Sequence, residues 1–148
     1  MKKIIPTLLA LGLAALCQDA FALGQQSFVT ESGGANSFQL FGASKAADIL
    51  VDTNDWPGVV RAATDLQTDV TRVSKLTPKL VHSEKELSAS AIIVGTIGRS
   101  AMIDRLVSEK KIDVAEITGK WEATLIQVVT NPLPGLNSAL VIAGSDKR

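Results

Sequence analysis

The sequence predicts a domain of mixed helices and strands, of the α/β (α+β) class. Its expected architecture is a two-layer sandwich, in which a mixed sheet of about five or six strands carries two helices mainly on one face. Compact apolar runs bounded by turn residues are typical of buried strands. Two stretches between these runs repeat apolar residues at helical spacing. The 148 residues are 46% hydrophobic and 20% charged, which suits one globular domain with a core of its own.

The N-terminus has the pattern of a secretory signal. Lys2 and Lys3 precede an apolar stretch over residues 4–16, and Ala-Phe-Ala at 20–22 forms a small-x-small cleavage site. The stretch is shorter than the roughly 20 residues that span a bilayer, and the bulky residue before Cys17 argues against lipid attachment. We therefore expect cleavage after residue 22 and export to the periplasm or the medium. Cleavage removes the only cysteine, so the core must stabilise the mature chain without a disulfide.

The first half of the mature chain predicts short strands, one compact strand and one helix, and PKLVH, residues 78–82, predicts a short extended piece after that helix. Residues 23–46 are polar and glycine-bearing, and we expect an N-terminal extension with short strands near Phe28 and at 38–41. The α/β domain follows at 47–148, beginning with a strand over 47–52. Pro57 suits the first turn of the next helix. The apolar stripe predicted for that helix consists of Val59, Ala63, Leu66, Val70 and Val73.

The second half predicts three more strands around a second helix. A fully buried strand over residues 89–95 leads through a turn into a helix over 101–111. The residues expected to face inward from that helix are Met102, Ile103, Leu106 and Val107. Strands over 121–130 and 138–144 then flank NPLPGLN, a breaker-rich segment that predicts a hairpin loop.

The charge balance and the scarcity of histidine and cysteine argue against several classes of function. Lys plus Arg and Asp plus Glu each number 15, so no field of one sign calls for nucleic acid or an anionic membrane. His82 is the only histidine, and a zinc site built without a second histidine or a cysteine is improbable. We expect no cofactor and no metal.

The segment DTNDWPG places Asp52, Asn54 and Asp55 between the end of a strand and the start of a helix. Ligands favour that location in open α/β sheets. The segment is not an EF-hand loop, because Trp56 and Pro57 stand where an oxygen ligand and a glycine are required. Two carboxylates three positions apart could act as acid and base. The favoured alternative is that these side chains cap a helix and fix a turn.

The segment GTIGRS, residues 95–100, also lies between a strand and a helix. Its main-chain N–H groups could hold an anion, and Arg99 could reach one. It lacks the lysine of a phosphate-binding loop and the three glycines of a dinucleotide site, so a tight turn with a Ser or Gly cap is favoured. Trp56 and Trp121 could stack on sugar rings, although the mature chain has few other aromatic residues.

The sequence closes with ALVIAGSDKR, an apolar strand followed by polar residues that suit the start of a further helix. We expect a truncated domain whose uncovered strand face causes low solubility or self-association. The alternative is a complete small domain whose last strand lies under the two predicted helices.

Four segments together resemble the N-terminal region of glycoside hydrolase family 115, the xylan α-1,2-glucuronidases. They are ADILVDTNDWPGVVRAATDLQTDVTRVS, IIVGTIGRS, GKWEATLIQVV and LVIAGSDKR. The resemblance implies a secreted hydrolase that removes glucuronic acid or its 4-O-methyl ether from xylan with inversion. It also implies a non-catalytic α/β domain similar to the one that precedes the barrel in hexosaminidases and other α-glucuronidases.

The partners that the resemblance implies are a C-terminal catalytic barrel and a xylan-type polysaccharide. No catalytic residue carries over, because the barrel is not part of this sequence. The residues that match family-like loop ends, and that would contact substrate or brace the barrel, are Asp52, Asn54, Asp55, Trp56, Arg99, Asp146 and Arg148. Of these two roles, bracing the barrel is preferred to contacting the substrate.

Three hypotheses follow from the sequence. The chain is the accessory domain of an exported α-glucuronidase, or a free-standing periplasmic carbohydrate-binding module, or a small enzyme that works through Asp52 and Asp55.

Overall fold

The computed structural model describes residues 29–34 and 36–147. The chain divides into two units, residues 1–32 and residues 33–148. In the described part of the first unit, the Thr30 hydroxyl bonds to the Ser32 carbonyl at 3.1 Å. The second unit contains the sheet and both helices. The predicted signal at 1–22, the predicted strand near Phe28, and Arg148 lie outside the described residues.

The second unit is built on a five-stranded mixed sheet, which confirms the predicted α/β class. Its strands lie in the order β2-β1-β3-β5-β4; the first four are parallel and β4 runs antiparallel to β5. The elements are β1 (Asp48–Val51), α1 (Pro57–Ser74), β2 (Leu80–Val81), β3 (Ser90–Thr96), α2 (Ala101–Ser108), β4 (Thr124–Leu133) and β5 (Leu136–Gly144). A single 3₁₀ turn, Glu84–Glu86, connects β2 to β3.

The two helices pack on opposite faces of the sheet, whereas the sequence predicted both mainly on one face. Successive strand residues point to opposite faces, and β1 accordingly sends Ile49 and Val51 into the apolar cluster under α1 and Leu50 into the cluster under α2. The strand order explains the difference. The chain crosses from β1 to β2 in one direction along the sheet and from β3 to β5 in the other, and right-handed crossovers in opposite directions place their helices on opposite faces.

Helix α1 begins at Pro57 and ends at Ser74, and Lys75 caps it in the left-handed conformation with φ 63°. Ala63 and Val70 of the predicted stripe are buried, but Val73 is 75% exposed. Eighteen helical residues extend about 27 Å, while the four residues of β1 extend only about 13 Å. The last turn of α1 therefore runs past the sheet that its stripe was predicted to cover.

The predicted hairpin between the last two strands is present, with a shorter loop than the sequence suggested. Both strands extend into NPLPGLN, leaving Pro134 and Gly135 as the turn. Gly135 has φ +82°, the value that the second central residue of a type II turn requires, and proline suits the first. Asn131, with φ 48°, lies in the β-bulge by which β4 reaches this turn.

Candidate functional site

The two candidate segments meet at the carboxyl edge of the sheet. The loop after β1 carries Asp52 through Trp56, and the loop after the neighbouring β3 carries Arg99. Because α1 and α2 leave these strands toward opposite faces, this edge is the topological switch point, where ligands bind in open α/β sheets. The contacts at this edge therefore decide what the loops can do.

Asp55 joins the two loops through its carboxylate. The Thr96 N–H donates to Asp55 Oδ2 at 2.6 Å, and the Trp56 N–H donates to Asp55 Oδ1 at 2.7 Å. The residue is only 5% exposed. Both carboxylate oxygens thus satisfy main-chain donors that would otherwise lack partners in a buried place.

Asp52 has a similar role on the α2 side. Its Oδ1 accepts the Asn54 N–H at 2.9 Å, which fixes the turn after β1, and its Oδ2 accepts the Ala101 N–H at 3.1 Å. Ala101 is the first residue of α2, so the carboxylate lies at the positive end of that helix. Asn54 itself is exposed.

The turn at residues 95–100 is tightly closed on itself. A Cβ atom on Gly95 would lie 2.5 Å from the Ser100 Cβ, so only glycine fits against the capping residue. Ser100 caps α2 by accepting the Ile103 N–H at 3.4 Å, and it is the first of the two alternatives, a Ser or a Gly cap, that the sequence left open. Gly98, with φ +74°, donates its N–H to Asp104 Oδ1 at 2.8 Å. These amides are bound to the chain's own side chains, which disfavours an anion site here.

Arg99 and Trp56 form a stacked pair across the two loops. The guanidinium carbon of Arg99 lies 4.0 Å from the centre of a Trp56 ring, a cation–π geometry. Among the described residues Arg99 makes no ion pair. The stack covers a ring of Trp56, the indole that the sequence offered for sugar stacking. Trp121, the other candidate, is 76% exposed and lies in the turn just before β4.

The hydrogen bond described for Asp146 goes to the segment before β4 and not to the loops of Asp52 and Asp55. Its Oδ2 accepts the Glu122 N–H at 3.1 Å, which ties the end of β5 to the residues before β4. The neighbouring Lys147 carbonyl lies 3.8 Å from the place that a Cβ on Gly58 would take, so this segment also reaches the first turn of α1. The predicted contribution of Arg148 lies outside the described residues.

Sequence reasoning missed two polar residues that the structure buries. The Thr96 hydroxyl, at the switch point, has no hydrogen-bond partner within the described part of the chain. Asp48 is fully buried at the other edge, where its Oδ2 accepts the N–H and the hydroxyl of Ser88. A polar residue opening an apolar run was the only signal for Asp48, and none distinguished Thr96 from a surface threonine.

Two shallow cavities lie away from the switch point. The first, of ≈ 320 Å³, lies beside the start of β3 and is bounded by Gln39, Lys45 and Ser90. The second, of ≈ 460 Å³, lies between α2 and the β4–β5 hairpin. Neither of these two cavities is lined by a residue of the predicted site.

No three acidic, histidine or cysteine side chains in residues 29–34 and 36–147 group closely enough to hold a metal ion. Over the same residues, no helix is both long and apolar enough to cross a bilayer. No protein-family model and no curated protein sequence matches the chain. The resemblance to glycoside hydrolase family 115 therefore stays a prediction that depends on the four segments quoted above.

Proposed function

We propose that this domain is the non-catalytic N-terminal domain of an exported glycoside hydrolase that acts on glucuronoxylan. In this proposal the family activity, release of (4-O-methyl)glucuronic acid from xylan, belongs to a C-terminal barrel. The loops at the switch point brace that barrel and take no part in bond cleavage.

The observation that carries the proposal is that both carboxylates at the switch point, Asp52 and Asp55, accept hydrogen bonds from main-chain N–H groups. A general acid or base must reach the proton that it transfers. Asp55 is nearly inaccessible, and each of its oxygens accepts a main-chain N–H. Asp52 likewise accepts one N–H on each oxygen. Carboxylates committed in this way support a structural role and disfavour the third hypothesis, a small enzyme.

Apolar side chains on the α1 side of β4 and β5 are evidence for a neighbouring domain. Helix α1 packs against β1, β2 and β3, while Leu140 and Ile142 of β5 are only partly buried on that side. Ile126 of β4, which pairs with Ile142, is 54% exposed. We interpret these incompletely covered apolar side chains as a contact site for another domain or protein.

The coding sequence after codon 148 provides the first test. The proposal predicts that it continues, in the same frame or after a frameshift, into a barrel with catalytic carboxylates. A neighbouring gene that encodes its own complete copy of this domain together with the barrel would contradict it, because this chain would then act independently.

A titration with glucuronoxylan fragments separates the accessory domain from a free-standing binding module. The proposal predicts no saturable binding to the isolated protein. Saturable binding that Trp121→Ala abolishes would instead identify a binding module, because Trp121 is the exposed indole. Trp56→Ala is the matched control, since Arg99 already covers a ring of Trp56.

A further inference from the structure

Strand β4 forms an open edge of the sheet. Within the described residues its strand neighbour is β5 alone. Its ten residues, TLIQVVTNPL, include no charged side chain. Edge strands are ordinarily protected against pairing by charges, prolines, bulges or short length. Here the bulge and Pro132 protect only the far end, so the regular part, residues 124–130, lacks these features.

The main-chain groups of every second residue in this part point to the open edge. One position before β4, the Ser145 N–H donates to the Ala123 carbonyl at 2.9 Å, which marks this pair as hydrogen-bonded. Hydrogen-bonded pairs alternate along an antiparallel ladder with pairs whose groups point away from the partner. The residues whose N–H and C=O groups face outward are therefore Thr124, Ile126, Val128 and Thr130.

The side chains at this edge favour a further strand. Ile126 and Val128 lie opposite Ile142 and Leu140 of β5, so they point to the same face of the sheet. That face is the α1 side, on which Ile126 is 54% exposed. A strand added to the edge would bring an apolar side chain against Ile126, the kind of cross-strand pair that stabilises sheets.

The charges at the two ends of β4 favour an identical strand in antiparallel orientation. Glu122 lies just before the strand, and Lys111 donates its Nζ to the Asn131 carbonyl near the far end at 3.2 Å. An antiparallel copy would place Glu122 of each chain near Lys111 of the other. The two contacts are equivalent, as the isologous interface of a twofold dimer requires.

We propose that β4 pairs antiparallel with β4 of a second copy of this chain, with the twofold axis at Gln127. Ile126 of each copy then lies opposite Val128 of the other, and the pairing covers residues 124–130 of both. The two sheets become one continuous sheet. The dimer depends on the β4 edge alone and forms whether or not the domain belongs to a glycosidase.

Sedimentation velocity over a concentration series tests the proposal. The unmodified protein is expected to form a dimer whose population rises with concentration. Val128→Pro removes an outward N–H and spares the ladder to β5, a position at which sheets tolerate proline, and it is expected to yield monomer. Val73→Lys changes an exposed valine of α1 that lies outside the pairing, and it is expected to leave the dimer intact.

Further variants keep the test decisive if Val128→Pro fails to fold. Ile126→Lys places a charge at the centre of the pairing and is expected to weaken dimerisation more than tenfold, with an unchanged melting profile for the monomer. Glu122→Lys and Lys111→Glu are each expected to weaken the dimer by about fivefold, and the double variant restores it. A monomer at all concentrations, or a dimer that tolerates both Ile126→Lys and the charge reversals, would overturn the proposal.

Discussion

Asp55 Oδ2 accepts the Thr96 N–H at 2.6 Å and so joins two loops that are 41 positions apart in the chain. The same carboxylate holds the Trp56 N–H at the start of α1. One nearly buried side chain thus fixes the end of β1 and the end of β3 against each other. Asp52 makes a second link at this edge by accepting the Ala101 N–H.

Asp55→Ala tests the strength of this link. Removing the carboxylate leaves two main-chain N–H groups unsatisfied in a buried place, so the free energy of unfolding is expected to fall by about 2 to 3 kcal/mol. Urea unfolding followed by circular dichroism measures the change. Asn54→Ala is the control, because its side chain is exposed and a change within about 0.5 kcal/mol is expected. Equal midpoints for the two variants would show that the link contributes nothing.

Gly95→Ala tests the close packing of the turn on α2. The added methyl would lie 2.5 Å from the Ser100 Cβ and 2.9 Å from the Ile103 Cγ1, so β3 and α2 must move apart. A loss of about 1 to 3 kcal/mol is expected from overpacking of this kind, measured as a fall in melting temperature. Gly34→Ala, where a Cβ meets nothing within 4 Å, is expected to melt with the unmodified protein. An unchanged Gly95→Ala variant would contradict the observed approach.

Arg99→Ala tests the stacked pair. Loss of the cation–π contact with Trp56 is expected to cost about 0.5 to 1 kcal/mol, the magnitude at an accessible site. In a Trp121→Phe background, Trp56 reports alone, and its emission is expected to shift to the red as water reaches the ring. Arg61→Ala serves as control, because Arg61 lies on the exposed side of α1 beside Asp65. A red shift of the same size in the control would mean that the stack does not shield Trp56.

Arg105→Gln tests two ion pairs, one with Glu109 at the end of α2 and one with Glu84 in the turn after β2. A hydrogen bond and the charge of Glu109, followed by the charge of Glu84, raise the pKa of the Arg105 guanidinium above its ordinary value. A raised pKa stabilises the fold at every pH below the ordinary value, and the contribution is lost only as the pH rises through the raised value. The melting difference between variant and unmodified protein is therefore expected to be small, constant from about pH 6 to 9, and reduced by salt. A difference that grows with salt would contradict this origin.

The local features of the fold were the predictable ones. The cap at Ser100 and the hairpin within NPLPGLN each depend on residues close together in the chain; a Ser or Gly cap and a hairpin loop were predicted, although not the short Pro134–Gly135 turn. The opposite placement of α1 and α2 depends on strand order, which apolar runs alone do not reveal. The exposure of Val73 depends on the length of α1 relative to the short β1, which is a tertiary property.

The sequence predicted where the candidate site lies, but it did not decide between a catalytic and a bracing role for its residues. Acidic residues between a strand and a helix indicated the carboxyl edge of the sheet. The partner of Asp55 is Thr96, an ordinary threonine with no local signal that it would meet a carboxylate. Long-range contacts of this kind decide between a catalytic and a bracing role, and periodicity does not encode them.

Release of uronic acid from 4-O-methylglucuronoxylan by the purified protein is the measurement that tests the central claim most directly. A complete family 115 enzyme serves as the positive control. The proposed supporting role predicts no release above the blank. Release by this chain alone, abolished by Asp52→Asn or Asp55→Asn, would contradict it.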